Sequence, residues 1–474
     1  MTPLQRPSIF DNGCVSEILL LVSALVALNA LFFPFAFDPL PTDHYGWVHF
    51  HFMSILQNTT KENYFVGYTY LTQSENGSIE PHYFNRYSPL TNILLHSQLS
   101  DLDLVNKVLA LKVFFKSVFV VNCLCIYVIG RSADLGSMAA ASLTFFVGSQ
   151  YYFLYPSDMA HFDQMALLGL FVQVILIMKK RLRAFFFFTL FALHLGRNFM
   201  LILTSFCLYS CMFYRDRDKN CVFMFLIHLA SFVLSFAYNV AIEMHVTGKN
   251  MLDTSILNTF QRRTGLLADT TFDRAGWMPY VKAMLERIGQ GILLNRGTTS
   301  ISKLIGAAAV VLAVGIIWIK AKRDTLDCRF LAVLLPPLVF FVVARRLVFF
   351  HDYTLMWLIP MFTYLLAQGL AFGAPLAVRI LKSKETLRVT NVLILLASVG
   401  YFCTSLYLDR SWKERTHAHG LIQKIQAQAI QVKSGDLVCL EDINEYQLQS
   451  MLPGAVYVKD GCQFLLNRNG LVAK

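Results

Sequence analysis

The sequence predicts an all-α polytopic membrane protein of about eleven transmembrane helices, with a small α/β lobe at its C-terminal end. Three observations predict it. Of the 474 residues, 55% are hydrophobic and only 15% charged, and the apolar residues gather into blocks long enough, at about 1.5 Å of helix rise per residue, to cross ~30 Å of hydrocarbon. The basic residues fall in short connections between blocks, at Lys179 to Arg183, Arg215 to Lys219, Lys320 to Arg323 and Arg379 to Arg388; this is the asymmetry that keeps such loops cytoplasmic. From Trp412 the long blocks stop and the pattern changes to a short helix followed by short strands.

In chain order the apolar blocks lie near 16–37, 108–130, 135–155, 163–178, 184–195, 197–214, 221–243, 302–320, 329–345, 353–374 and 391–408. Only Arg6 is basic ahead of the first block, which runs into Asp38-Pro39 without a small-residue cleavage site, so it reads as a retained helix. The fifth and sixth are short and meet at Gly196-Arg197-Asn198, the pattern of a broken hairpin surrounded by protein. A cytoplasmic start and an odd number of crossings put the first loop (38–107), a later loop (244–300) and the tail (409–474) on one extracytoplasmic side, with the turns 156–162 and 345–352. The membrane module is then 1–408 and the extracytoplasmic lobe 409–474.

In the first loop, Tyr64 to Tyr70 and Ile79 to Phe84 flank the turn-forming Glu75-Asn76-Gly77-Ser78, and short helices lying in the membrane interface are expected there. In the tail, Gly420 to Val432 reads as a helix, and Asp436 to Leu440 and Ala455 to Val458 as strands. The net charge of +11 is accounted for by the cytoplasmic loops and lipid headgroups, not by nucleic acid. Among ten cysteines, Cys439 and Cys462 share an extracytoplasmic segment; spacing alone leaves their pairing open. Asn58-Thr59-Thr60 and Asn76-Gly77-Ser78 match the N-glycosylation pattern, which is short enough to recur by chance.

Polar chemistry concentrates on that one side. Asp38 and Asp43, with His44 beside it, follow the first block where it meets water, and an acid so placed is a functional candidate. A carboxylate at the mouth of a cavity can take the proton of an acceptor hydroxyl; a cap or solvated acid is the plain alternative. The turn Tyr155 to Gln164 carries Asp158, His161 and Asp163, more than capping the next helix requires. Arg345 and Arg346 precede His351-Asp352-Tyr353 and Pro360; outward arginines suit a phosphate group, or snorkel to headgroups. Arg86, Arg262 and Arg263 are further anion candidates. Glu80 and His82 offer two donors, too few for a metal site, and the chemistry needs none when cationic side chains stabilise a departing phosphate.

Together these residues resemble the GT-C superfamily of integral-membrane glycosyltransferases, in particular the branch of the protein O-mannosyltransferases and lipid A aminoarabinose transferases. The resemblance rests on the acid after the first helix (Asp38 to Asp43), the acid-bearing turn between the third and fourth (Asp158 to Asp163), and the basic-aromatic segment before a late helix. There the family's Arg-Tyr reads His351-Asp352-Tyr353. It implies a sugar donor on a polyprenyl phosphate and an inverting displacement on the extracytoplasmic side of a bacterial inner membrane. Asp43 and Asp158 would be catalytic. Asp38, His44, Glu80, His82, Arg86, His161, Asp163, Arg262, Arg263, Arg345, Arg346, His351 and Tyr353 would bind substrate, with no metal. The acceptor would be a lipid-linked glycan such as O-antigen, lipid A, or a protein hydroxyl. A flippase or transporter would instead place its ionisable groups near the midplane, often in two related halves. A glycan polymerase or ligase would rely on arginines and tolerate Asp43→Asn.

Overall fold

The computed structural model describes residues 12–32, 52–56, 58, 68–83, 95, 99, 102–158, 162–195, 199–248, 277–294, 298–322, 327–344, 352–381, 384–416, 428, 431–441, 452, 454–467 and 470–473, with the backbone alone at several element ends. Helices dominate: α1 Asn12–Phe32, α2 Leu104–Ser132, α3 Ser137–Gly148, α4 Phe162–Met178, α5 Leu182–Leu195, α6 Phe199–Asp216, α7 Lys219–Thr247, α8 Trp277–Ile292, α9 Thr299–Lys322, α10 Cys328–Val343, α11 Ile359–Leu381 and α12 Lys384–Thr416. Each predicted apolar block falls on one of these; α8, which is amphipathic, is the addition. Among the described residues five helices are long and apolar enough to cross a membrane, and six apolar ones are shorter.

Local sequence sets the ends. Asp103 caps α2 by accepting from the Asn106 amide at 2.9 Å, Asp218 caps α7 through the Asn220 amide at 2.9 Å, and Asp327 caps α10 through the Phe330 amide at 2.9 Å. Each satisfies an N–H that the helix itself cannot. Lys180 and Arg217 adopt positive φ, which turns the chain tightly between α4 and α5 and between α6 and α7. At the opposite end of α2 from its cap, Glu17 of α1 accepts from Tyr127 at 2.8 Å and from Ser137 at 2.6 Å, and Arg131 donates to Ser137 at 2.9 Å. These bonds tie α1 to the α2–α3 hairpin.

Helix α8 meets α9 backbone to backbone. A Cβ on Gly289 would lie 1.8 Å from the Ser302 carbonyl oxygen, and one on Gly306 would lie 1.8 Å from that of Leu285. Only glycine fits at both crossings. Glu286 and Lys303 add an ion pair at 3.5 Å. The Tyr280 hydroxyl donates to the Phe341 carbonyl of α10 at 2.7 Å, and the Tyr401 hydroxyl of α12 donates to that of Ile292.

Outside the bundle lies a six-stranded sheet of order β2-β1-β4-β3-β5-β6: β1 Tyr68–Gln73, β2 Ile79–Tyr83, β3 Leu437–Leu440, β4 Val456–Tyr457, β5 Phe464–Asn467 and β6 Gly470–Ala473. Of the tail strands, β3 and β4 lie where the sequence predicts strands, whereas β5 and β6 are additions. The first loop differs: over 68–83 it forms a β-hairpin, not interfacial helices, because alternating Tyr68, Tyr70 and Thr72 flank a tight turn at Gly77. That hairpin joins the tail's sheet, with Leu71 beside Val456 and Thr72 beside Tyr457 in parallel. The sheet is therefore shared between first loop and tail. Cys439 and Cys462 form a disulfide, their Cα atoms 5.5 Å apart. The predicted 420–432 helix lies almost wholly outside the described residues.

Candidate functional site

The two units meet on α2. One hydrophobic cluster takes Val108, Leu111 and Phe115 from α2, Phe52, Met53 and Leu56 from the first loop, and Val438, Ala455, Leu466 and Leu471 from the tail. Phe52 stands edge-on to Phe115, ring centroids 6.3 Å apart. The apolar face of α2 thus seats both the loop and the sheet.

The next residue, Lys116, points elsewhere. It is only 6% exposed, and its Nζ donates to the Ser157 hydroxyl at 2.6 Å while lying 5.4 Å from the Phe119 ring centroid. Ser157 is fully buried in the 3₁₀ turn Tyr155–Asp158, whose last residue is one of the predicted acids. A lysine inside a predicted span is costly to bury without a partner. Here it reaches the polar turn that the sequence singles out.

Below that contact the amides continue the polar path. Asn122 Nδ2 donates to Gln164 Oε1 at 3.3 Å, and Gln164 Nε2 donates to the Phe153 carbonyl at 3.2 Å. These bonds fix the chain on both sides of the turn. Asp163 sits in the first turn of α4, where its charge complements the helix N-terminus. The helical turn Tyr151–Leu154, which leads into Tyr155–Asp158, packs against a second 3₁₀ segment, Asp352–Leu358. Within that segment Thr354, Met356 and Trp357 are buried. The acid-bearing turn and the late basic-aromatic segment, distant in sequence, are therefore neighbours. Helix α8 closes on the same place, with the Tyr152 hydroxyl donating to Gln290 Oε1 at 3.3 Å.

The other predicted residues divide by what the structure describes. Glu80 and His82 lie on the edge strand β2; Glu80 Oε1 lies 3.1 Å from the Ser78 hydroxyl oxygen, whose nearer acceptor is Asn76 Oδ1 at 2.7 Å, and His82 stacks on Tyr70 with centroids 4.6 Å apart. Asp158 and Tyr353 are described by backbone alone. Asp38, Asp43, His44, Arg86, His161, Arg262, Arg263, Arg345, Arg346 and His351 lie outside the described residues. Among the described residues no three His, Cys, Asp or Glu side chains gather as a metal would require. Lys116 is the residue that sequence reasoning missed. Its signal was the lysine pair Lys112 and Lys116, one helical turn apart in the otherwise apolar stretch 108–130.

No protein-family model and no curated protein sequence matches the chain. Solved structures do. ArnT from Cupriavidus metallidurans in the apo state aligns over 95% of this chain and 87% of its own, at 12% identity and a TM-score of 0.53. The oligosaccharyltransferase of Archaeoglobus fulgidus in the apo form aligns over 93% of this chain at 11% identity and a TM-score of 0.54. The chain spans 64% of that protein's length. ArnT bound to undecaprenyl phosphate aligns over 94% of this chain and 86% of its own, at 11% identity and a TM-score of 0.50. At such identity the likeness shows the fold alone: the chain shares the architecture of these ArnT and oligosaccharyltransferase structures.

Proposed function

We propose that this protein is a membrane glycosyltransferase that moves a sugar from a polyprenyl-phosphate donor to a cell-envelope acceptor at the extracytoplasmic face, by inverting displacement. The observation that carries the reading is the buried contact of Lys116 with Ser157. It joins a cationic donor to the acid-bearing turn, next to the face of α2 on which the first loop packs, and the late 3₁₀ segment packs on the helical turn that leads into it. Grouped polar residues at one end of an otherwise apolar bundle suit a substrate whose lipid stays in the membrane while its phosphate and sugar stand at the surface. The fold supports this, since one of its neighbours is an ArnT bound to undecaprenyl phosphate and another is an oligosaccharyltransferase studied with an acceptor peptide.

In this reading the eleven apolar helices are crossings of a bacterial inner membrane, and the disulfide-bonded sheet stands in the periplasm, where such bonds persist. Asp43 takes the proton of the acceptor hydroxyl as it attacks the anomeric carbon, and Asp158 shares the catalytic role. The bond from that carbon to the phosphate oxygen breaks. Lys116, Arg86, Arg345 and Arg346 stabilise the charge that the departing polyprenyl phosphate gathers, work that fixed cations perform without a metal. Asp38, His44, Glu80, His82, His161, Asp163, Arg262, Arg263, His351 and Tyr353 line the approach of donor and acceptor. The acceptor is a lipid-linked glycan, lipid A or a protein hydroxyl.

The test is a transfer assay with purified protein and a panel of polyprenyl-phosphate sugars, beside the variants Asp43→Asn and Asp158→Asn. Both variants are expected to lose turnover while keeping donor binding. Full turnover in both would overturn the mechanism. Movement of donor across vesicles without any transfer would favour a transporter.

A further inference from the structure

The sequence carries two matches to the N-glycosylation pattern, Asn58-Thr59-Thr60 and Asn76-Gly77-Ser78, and the fold treats them in opposite ways. Asn58 is 6% exposed, directly after the buried helical run Phe52 to Leu56, and its amide donates to the Ser54 carbonyl at 2.9 Å. An enzyme could not reach that side chain without unseating the first loop from α2. Asn76 stands at the tip of the β1–β2 hairpin, exposed together with Gly77 and Ser78.

The chemistry of the tip goes further than exposure. Glycosylation of asparagine uses the carboxamide nitrogen, so the acceptor must offer Nδ2 and anchor its oxygen. Among the described residues, the hydrogen bonds of the Asn76 side chain all fall on its oxygen. Oδ1 accepts from the Ser78 amide at 3.0 Å, from the Ser78 hydroxyl at 2.7 Å, and from the Ser74 hydroxyl. Nδ2 donates none. The hydroxyl of the third residue of the motif therefore rests on the carboxamide that the motif would modify, and donors gathered on Oδ1 draw electron density from the amide and ease loss of an Nδ2 proton. The positive φ of Gly77, +85°, folds Ser78 back to make this contact. The middle residue thus has a structural reason to be glycine.

From this geometry we infer that Asn76, and not Asn58, is an acceptor for an N-linked glycan. The donor class is an oligosaccharide on a lipid diphosphate, delivered by a separate oligosaccharyl-transferring enzyme at the face where the sheet stands. A bond forms between Nδ2 and the anomeric carbon, and the bond from that carbon to the diphosphate oxygen breaks. The Nδ2 proton passes to a base of the transferring enzyme, and the lipid diphosphate leaves with the electron pair. A glycan here projects from the free end of the hairpin and disturbs neither the sheet nor α2.

The test expresses the full chain in a eukaryotic host that N-glycosylates at its secretory membrane. Gel mobility is read before and after peptide-N-glycosidase treatment, and peptide mass spectrometry locates the Asn-to-Asp conversion that the enzyme leaves. One glycan is expected in the wild type, retained in Asn58→Gln and Ser78→Thr, and lost in Asn76→Gln and Ser78→Ala. A wild-type chain without a shift, or a shift that survives Asn76→Gln, overturns the inference. Alkylation of Cys439 and Cys462 provides a separate readout of compartment. Thiols that resist alkylation in a chain bearing no glycan would defeat the site while leaving the topology standing.

Discussion

The helical bundle and the six-stranded sheet are put together in different ways. The bundle grows largely by neighbours: α2 turns into α3, α4 into α5 and α6 into α7 within a few residues, so each pair closes a short loop at small entropic cost. The sheet closes a loop of most of the chain. Its β1 comes from the first loop and its β4 from the tail, and they meet at Leu71 beside Val456. A two-residue strand, Val456–Tyr457, holds that join, and the disulfide staples the chain on either side of it. The difference teaches that the bundle can form without the sheet, whereas the sheet requires the bundle to have presented both of its halves. The candidate site lies where the two meet.

The largest expected effect tests that meeting point. Lys116→Gln keeps the length and loses the charge. If its Nζ stabilises a departing phosphate, turnover should fall by about 10²–10³, the range found when one preorganised donor is removed from a developing charge. Thermal unfolding in detergent is the control: an intact melting point with lost turnover places the effect in the chemistry. Unchanged turnover would assign the Ser157 contact to packing alone.

The paired variant Cys439→Ser with Cys462→Ser comes next. The bridge closes a loop with a sequence separation of 23 residues, for which chain-entropy reasoning gives about 3 kcal/mol. The effect should stay with the sheet. Amide exchange is expected to quicken in 437–440 and 456–457 and to spread across the parallel join into 68–73, while α2 and α7 keep their protection. Equal loss of protection throughout would mean that sheet and bundle unfold as one unit.

The reverse case is Gly289→Val or Gly306→Val. Added carbons would fall on a backbone carbonyl, which cannot rotate aside as a side chain can, so α8 and α9 must part. A cost near ~3 kcal/mol is expected, the upper part of the usual range for overpacking, measured by unfolding in detergent. The protection of β1 and β2 should be unmoved. Transfer should weaken through KM more than kcat if α8, held to Tyr152 through Gln290 at 3.3 Å, shapes the approach and takes no part in the chemistry.

Hydropathy made the helical bundle readable because blocks so apolar and so long rarely form anything but helices. Charge placement drew attention to Asp158 and Asp163. Lys116 escaped because two lysines, Lys112 and Lys116, scarcely alter the hydropathy of so long a block, and nothing local says that Ser157 will stand beside one of them. The hairpin escaped for a different reason. Its aromatic residues drew the reading toward an interfacial helix, whereas the alternation of Tyr68, Tyr70 and Thr72 before the Gly77 turn favours the strand, and β4, far along the chain, adds a pairing that no local pattern shows. The pairing of Cys439 with Cys462 was open in the sequence on similar grounds, since spacing carries no geometry.

The smallest effect is also the sharpest on locality. Gly77 turns the hairpin at a φ of +85°, where an alanine Cβ is strained although only the Gln73 amide nitrogen lies near, at 4.0 Å. Gly77→Ala should therefore cost about 1 kcal/mol through backbone strain and not through a clash. It leaves Asn76 and Ser78 in sequence but weakens the turn that brings their side chains together, so glycan occupancy at Asn76 should fall short of complete without vanishing. Exchange should quicken at 73–79 and fade before Leu71, where β4 takes over the support of β1. Quickening that reached 437–440 would show that the hairpin stabilises the tail as much as the tail stabilises the hairpin, and the dependence between the two halves of the sheet would then run both ways.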